Sequence, residues 1–234
     1  MENLSIVEIY KKFGTNDCLG GYTSLRFLKN CDGYIAAKEH GDTKAAKDVI
    51  KKCVDADKLQ LIRTNYPDAF LLPVLKKNNA LPLSLCVNIG LPVCLSVSCS
   101  STHTRKNMPA IQRILCKPMF FGEIIPERKY ILVDDVITQG GTMSSLIQFV
   151  SQRRGIILAI LSLTYAKGSR RIAPTKENLN NLKERFGNRL SEFFDECGIG
   201  SEAVDQLTNS EILYLMKFSN VENIRKKGFE FLSM

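Results

Sequence analysis

A chain of 234 residues that is 44% hydrophobic and 24% charged can bury a full core, which suits one domain with elaborations. No apolar run reaches the roughly 18 residues that a membrane helix needs, and Met1-Glu2-Asn3-Leu4 lacks the basic and apolar regions of a signal peptide. A cytoplasmic protein that does not engage a membrane is therefore expected. The net charge of +8 attracts anions, but Lys and Arg are scattered, with small clusters only at Arg153-Arg154 and Lys226-Lys227, and read as a solvated basic surface. The eight cysteines form no C-x-x-C pair. Cys86, Cys94 and Cys99 lie in or beside apolar stretches and read as small core residues rather than metal ligands.

Taken in chain order, residues 1–58 read as mostly helical. Lys44 to Val54 sets Ala45, Val49 and Ile50 among Lys and Asp in an amphipathic pattern, and Gly20-Gly21 and Gly41-Asp42 punctuate the segment. A first strand is predicted over Ala69 to Val74, a short helix over Leu81 to Ile89, and a second strand over Leu91 to Val97. Residues 99–128 are polar and loop-like. Tyr130 to Val133 is the third strand, Thr142 to Arg154 a helix stopped by Gly155, and Ile156 to Leu163 a nearly continuous apolar fourth strand. Beyond residue 170 the chain turns helical again. Thr208-x-x-Glu211 and Ser219-x-x-Glu222 both read as capping boxes. Strands alternating with helices imply a parallel sheet with right-handed crossovers, whose ligands sit at the carboxyl ends of the strands.

One stretch carries chemistry. Tyr130-Ile-Leu-Val133 leads into Asp134 and Asp135, and then into the loop Thr138-Gln139-Gly140-Gly141-Thr142 before a helix. A Gly-rich turn between strand and helix aims backbone N–H groups at one spot, and the helix dipole adds positive potential there. That geometry holds a phosphate. Carboxylates beside it accept hydrogen bonds from sugar hydroxyls. Phosphate and diol together describe a ribose 5-phosphate.

The stretch resembles the phosphoribosyl-pyrophosphate (PRPP) motif of type I phosphoribosyltransferases, with strand, acid pair, loop and helix in order. Gln139 departs from it, standing where the family usually has a second Thr, so that a hydroxyl is lost while the backbone N–H remains. More narrowly, Phe70-Leu-Leu-Pro-Val74, Leu81-Pro82-Leu83, Thr102-His103-Thr104, Arg113, Pro118, Phe120, Gly122 and Leu207-Thr208-x-x-Glu211 resemble a bacterial subfamily of phosphoribosyltransferase-domain proteins. That resemblance implies no particular substrate.

The resemblance implies an α/β fold: a parallel-sheet phosphoribosyltransferase core over 59–168, a helical N-terminal segment over 1–58 that could form a hood, and a helical C-terminal extension over 169–234. It implies a Mg²⁺-dependent pentosyl transferase of nucleotide metabolism, taking PRPP and a nitrogenous base or related small-molecule acceptor. Asp134 and Asp135 would hold the ribose hydroxyls and stabilise the cationic sugar, and could reach Mg²⁺ through water, with PRPP itself as the main metal ligand. Thr138, Gln139, Gly140, Gly141 and Thr142 would cradle the 5-phosphate. Lys76, Lys77 and Arg113 would meet the pyrophosphate, and a closing segment over 99–117 would bring His103, Arg105 and Lys106. Family members acting on 6-oxopurines usually carry an Asp where this chain has Thr138, which disfavours such an acceptor. The rival expectation is a PRPP-binding regulator or nucleic-acid-associated protein without turnover. No recognition helix or stacking platform is evident, so specific nucleic-acid binding is not expected. A homodimer is left open.

Overall fold

The computed structural model describes residues 19–100 and 108–232. From the N-terminal side these form strand β1 (Leu19–Gly20), helices α1 (Leu25–Lys29), α2 (Tyr34–Glu39), α3 (Thr43–Cys53) and α4 (Ala56–Asn65), strand β2 (Phe70–Pro73), helix α5 (Leu81–Ile89) and strand β3 (Val97–Ser100). Next come α6 (Ala110–Leu115), β4 (Met119–Gly122), β5 (Lys129–Ile137), α7 (Gly141–Gln152), β6 (Ile156–Tyr165), α8 (Lys176–Phe186), α9 (Arg189–Glu196), a 3₁₀ turn over Ser201–Gln206, α10 (Asn209–Leu215) and α11 (Val221–Leu232).

The fold is α/β, built on a four-stranded parallel sheet in the order β1-β6-β5-β2. Both faces of β5 are covered, which explains its unbroken apolar run. Ile131 and Val133 point into one cluster, which they share with Leu28, Val49 and Ile50 of the N-terminal helices and Leu81 and Leu85 of α5. Tyr130 and Leu132 point into the other, against Leu146, Ile147 and Val150 of α7. A third cluster joins Ile111, Ile114 and Leu115 of α6 to Phe193, Phe194, Ile212 and Ile224 of the C-terminal helices. Residue 58, the expected end of the N-terminal segment, lies inside α4, and the cluster around Ile131 runs across it.

Local signals account for most boundaries. Asp42 caps α3 through its side chain, which accepts the N–H groups of Lys44 and Ala45 at 2.9 Å. Thr208 and Glu211 form a complete capping box at α10. The second expected box does not form. Asn220 caps α11 instead, accepting the N–H of Asn223 at 2.9 Å, while Ser219 receives only that residue's side-chain amide.

Three other expectations need correction. Leu91 to Val97 is not a strand of the main sheet. Val93 makes a single parallel bridge to Leu71, after which the chain leaves to form β3, antiparallel to β4 in a separate two-stranded sheet. The fourth strand of the main sheet is β1, whose two residues are too short to show a period. The loop expected over 99–128 contains α6 and β4, whose buried faces are Ile111, Ile114 and Leu115 in one and Phe120 in the other. Among the described residues no helix is long and apolar enough to cross a membrane.

Candidate functional site

β5 runs further than its apolar residues suggest, so Asp134 and Asp135 lie within the strand rather than beyond it, with Asp134 opposite Ser162 of β6. Strand alternation sends the two side chains to different faces. Asp135 follows Val133 toward the N-terminal helices. There its Oδ2 pairs with Lys38 Nζ of α2, and its Oδ1 accepts the Asn79 Nδ2 amide at 3.1 Å. Asp134 Oδ1 accepts the backbone N–H of Asp135 at 2.9 Å. Both carboxylates are buried, at 4% exposure for Asp134 and 1% for Asp135.

Burial and partners split the pair electrostatically. Burial raises the Asp134 carboxyl to about 7, opposed by the charge of Lys76 and reinforced by Asp135. Burial also pushes Asp135 upward, but the Lys38 ammonium and hydrogen bonds from Asp134 and Lys38 outweigh it and hold Asp135 below the ordinary carboxylate range. Burial works against the Lys38 ammonium, yet Asp135 and Asp134 keep its affinity for the proton above that of a free lysine.

The loop after β5 is shaped from behind. Ser169 donates its hydroxyl to the Thr138 carbonyl, and Thr208 donates to the Gln139 carbonyl at 2.5 Å. In a trans peptide the C=O and N–H point in opposite directions. The N–H groups of Gln139 and Gly140 are therefore turned toward the open side. Gly140 has φ +82°, and a Cβ there would lie 3.3 Å from Thr208 Cγ2, so both the backbone and its neighbour select glycine. α7 starts at Gly141 with no side-chain cap on its N-terminus, which leaves a twelve-residue helix dipole facing the same space. The Gln139 amide atoms are enclosed without a hydrogen-bond partner among the described residues, so this residue presents its backbone N–H rather than its side chain.

These groups line one cavity of about 820 Å³, a size suited to a small ligand. The structure brings Asp134, Asp135, Lys76, Arg113 and the whole loop from Thr138 to Thr142 to it. Lys77 is exposed and is not among the lining residues, because the turn Lys76–Asn79 sends its neighbour Lys76 inward. His103, Arg105 and Lys106 lie outside the described residues. Arg113 sits on α6, whose apolar face is buried in the third cluster, and its Nε donates to the Met108 carbonyl at 2.9 Å. This half of the expected closing segment is thus a packed helix. Sequence reasoning missed Lys38, Tyr34 and Asn79. Tyr34 lines the cavity, and its hydroxyl is raised above its usual range by burial and then by Asp135.

The cavity therefore offers backbone donors and a helix terminus for an anion, the cationic side chains of Lys38, Lys76 and Arg113, and the carboxylates of Asp134 and Asp135. Among the described residues no group of three or more His, Cys, Asp or Glu could hold a metal.

No family model matches the chain. It is 30% identical over 214 residues to protein TraN of Escherichia coli, an alignment covering 87% of this chain and 47% of that protein, so the chain spans about half the length of this relative. Solved structures similar to it include a hypoxanthine phosphoribosyltransferase from Staphylococcus aureus, with 18% identity, TM-score 0.39, and 63% of this chain and 77% of that one covered. An adenine phosphoribosyltransferase from Saccharomyces cerevisiae gives 17% identity, TM-score 0.33, and coverage of 51% and 71%. A purine phosphoribosyltransferase from Pyrococcus horikoshii gives 15% identity, TM-score 0.32, and coverage of 53% and 83%. The chain is thus an α/β protein with a parallel sheet, similar in part to solved phosphoribosyltransferases and in sequence to about half of TraN.

Proposed function

We propose that the cavity binds PRPP and that the chain transfers its phosphoribosyl group to a nitrogenous base or related acceptor other than a 6-oxopurine. One observation carries this reading: an acid pair on a parallel strand, an N–H-lined loop at the uncapped start of α7, and three cationic side chains meet in a single cavity. The loop from Thr138 to Thr142 anchors the 5-phosphate. Asp134 accepts from the ribose hydroxyls and offsets the positive charge that grows on the sugar as the bond from C1 to the diphosphate breaks. Lys76 and Arg113 stabilise the negative charge that grows on the departing pyrophosphate.

Mg²⁺ fits this site as an ion carried by the diphosphate, since the carboxylate of Asp135 is already engaged by Lys38 and Asn79. Bound there, it would neutralise part of the leaving group's charge while keeping several waters.

The test is calorimetric titration with PRPP, followed by a screen of nucleobases with PRPP and Mg²⁺ read as pyrophosphate release. Absence of PRPP binding sinks the reading. The engagement of both Asp135 oxygens within the protein favours one second reading, PRPP binding without turnover. Binding with no pyrophosphate release for any base decides for it.

A further inference from the structure

Lys38 lines the cavity, and no motif announces it. Its helix α2 is fixed to the turn after β2 by a backbone hydrogen bond from Ala80 N–H to the Ala37 carbonyl at 2.9 Å, immediately beside Lys38 in sequence. The same turn supplies Asn79, which holds the other oxygen of Asp135. Lys38 is thus delivered to the cavity by a rigid unit and not by a swinging side chain alone.

Exposure separates the two partners of the ion pair. The Asp135 side chain is 1% exposed and both its oxygens are taken, whereas the Lys38 side chain is 28% exposed and lines the cavity. An ammonium carries three donors, and the bond to Asp135 uses one of them. A buried carboxylate with a single ammonium beside it is a holder for that ammonium, because separating them would leave a charge unpaired in low dielectric. Among the described residues no ammonium is in ion-pair contact with Asp134, although the charge of Lys76 is felt there. Among the described residues its one hydrogen-bond donor is the neighbouring backbone N–H.

Resting on the reading of the cavity as a PRPP site, we propose that the acid pair divides its work: Asp135 orients Lys38, Lys38 binds the diphosphate at C1 of the sugar together with Lys76, and Asp134 alone serves the hydroxyls. The N-terminal helices then supply part of the pyrophosphate site, and the second acid acts through a cation instead of touching the sugar.

Two probe ligands test this by calorimetry on the full chain, each variant first checked for a cooperative thermal transition. PRPP carries the diphosphate, and ribose 5-phosphate carries the same phosphate and diol without it. Lys38→Met alone strands a buried carboxylate, so the informative variant is the double Lys38→Met/Asp135→Asn, which removes both charges. It is expected to bind ribose 5-phosphate within about threefold of wild type and PRPP about tenfold or more weakly, as loss of a close charge contact to a ligand requires. Asp135→Asn alone should weaken PRPP to a similar extent, because the two residues act as one unit and their effects do not add. Loss of ribose 5-phosphate affinity in Asp135→Asn equal to the loss for PRPP would place Asp135 on the diol and overturn the proposal. So would a double variant that binds PRPP like wild type. A wild type that binds neither ligand overturns the reading of the cavity itself.

Discussion

Thr208, the N-cap of α10, donates its hydroxyl to the carbonyl of Gln139, 69 positions earlier in the chain, at 2.5 Å. The same oxygen accepts the N–H of Glu211, so one hydroxyl both starts a helix and turns a loop peptide. Thr208→Val keeps the shape and deletes both bonds. We expect a loss of stability of about 1–2 kcal/mol from the missing cap, with weaker binding of PRPP because the Gln139 carbonyl is no longer held away from the cavity. Urea unfolding and a PRPP titration on the same preparation check the two effects.

Gly140→Ala addresses the loop from the other side. With φ at +82° and Thr208 Cγ2 3.3 Å from the added Cβ, the variant is strained by about 1–2 kcal/mol. The backbone relaxes by turning the N–H groups it should aim at a phosphate. Inorganic phosphate or ribose 5-phosphate affinity should fall more than thermal stability does, and equal losses in the two would assign the glycine to folding alone.

The buried pair Lys117–Glu211 locks α10 to the segment before β4, with Lys117 Nζ 3.0 Å from the carboxylate and 2.9 Å from the Gln206 carbonyl. Glu211 is fully buried. Lys117→Met should cost about 3–5 kcal/mol by leaving that carboxylate unpaired. Adding Glu211→Gln should recover most of it, since the amide oxygen still accepts the Thr208 N–H. A double variant no more stable than Lys117→Met, compared in urea, would show that the charge is not what matters.

Asp134 gives the fold a pH signature. Its carboxyl is raised from 3.8 to about 7. Between those values the folded chain keeps a proton that the unfolded chain has released, so stability falls as pH rises through this window and levels off above it. Asp135 is shifted the opposite way, so its contribution is present above the ordinary carboxylate range and lost only below it. The difference in melting temperature between wild type and Asp134→Asn, followed from pH 4.5 to 8, should therefore grow in the variant's favour. A flat difference would show that Asp134 titrates normally.

The sequence made the sheet and the phosphate loop legible because their signals are local. The apolar run of β5, the acids and the glycines are contiguous, and α5 is bounded by Pro82 at its start and Gly90 at its end. Lys38 was illegible because its partner lies 97 positions away and a lysine on a six-residue helix looks like any solvated one. Lys76 and Lys77 could not be told apart until the turn fixed which faced inward. α6 and β4 are too short for their periodicity to stand out from a polar stretch, and β1 pairs through only two residues.

Each of the three apolar clusters sends a different wall to the cavity: Tyr34 from the first, Ile137 and Met143 from the second, and Arg113 on the helix anchored in the third. A ligand seated there touches residues that belong to, or are carried by, all three clusters. Occupancy at a hundredfold excess over its dissociation constant would add about 2.7 kcal/mol to the folded state. Saturation should then raise hydrogen-exchange protection in the N-terminal helices and in α10 together, although Tyr34 and Thr208 belong to distant parts of the sequence.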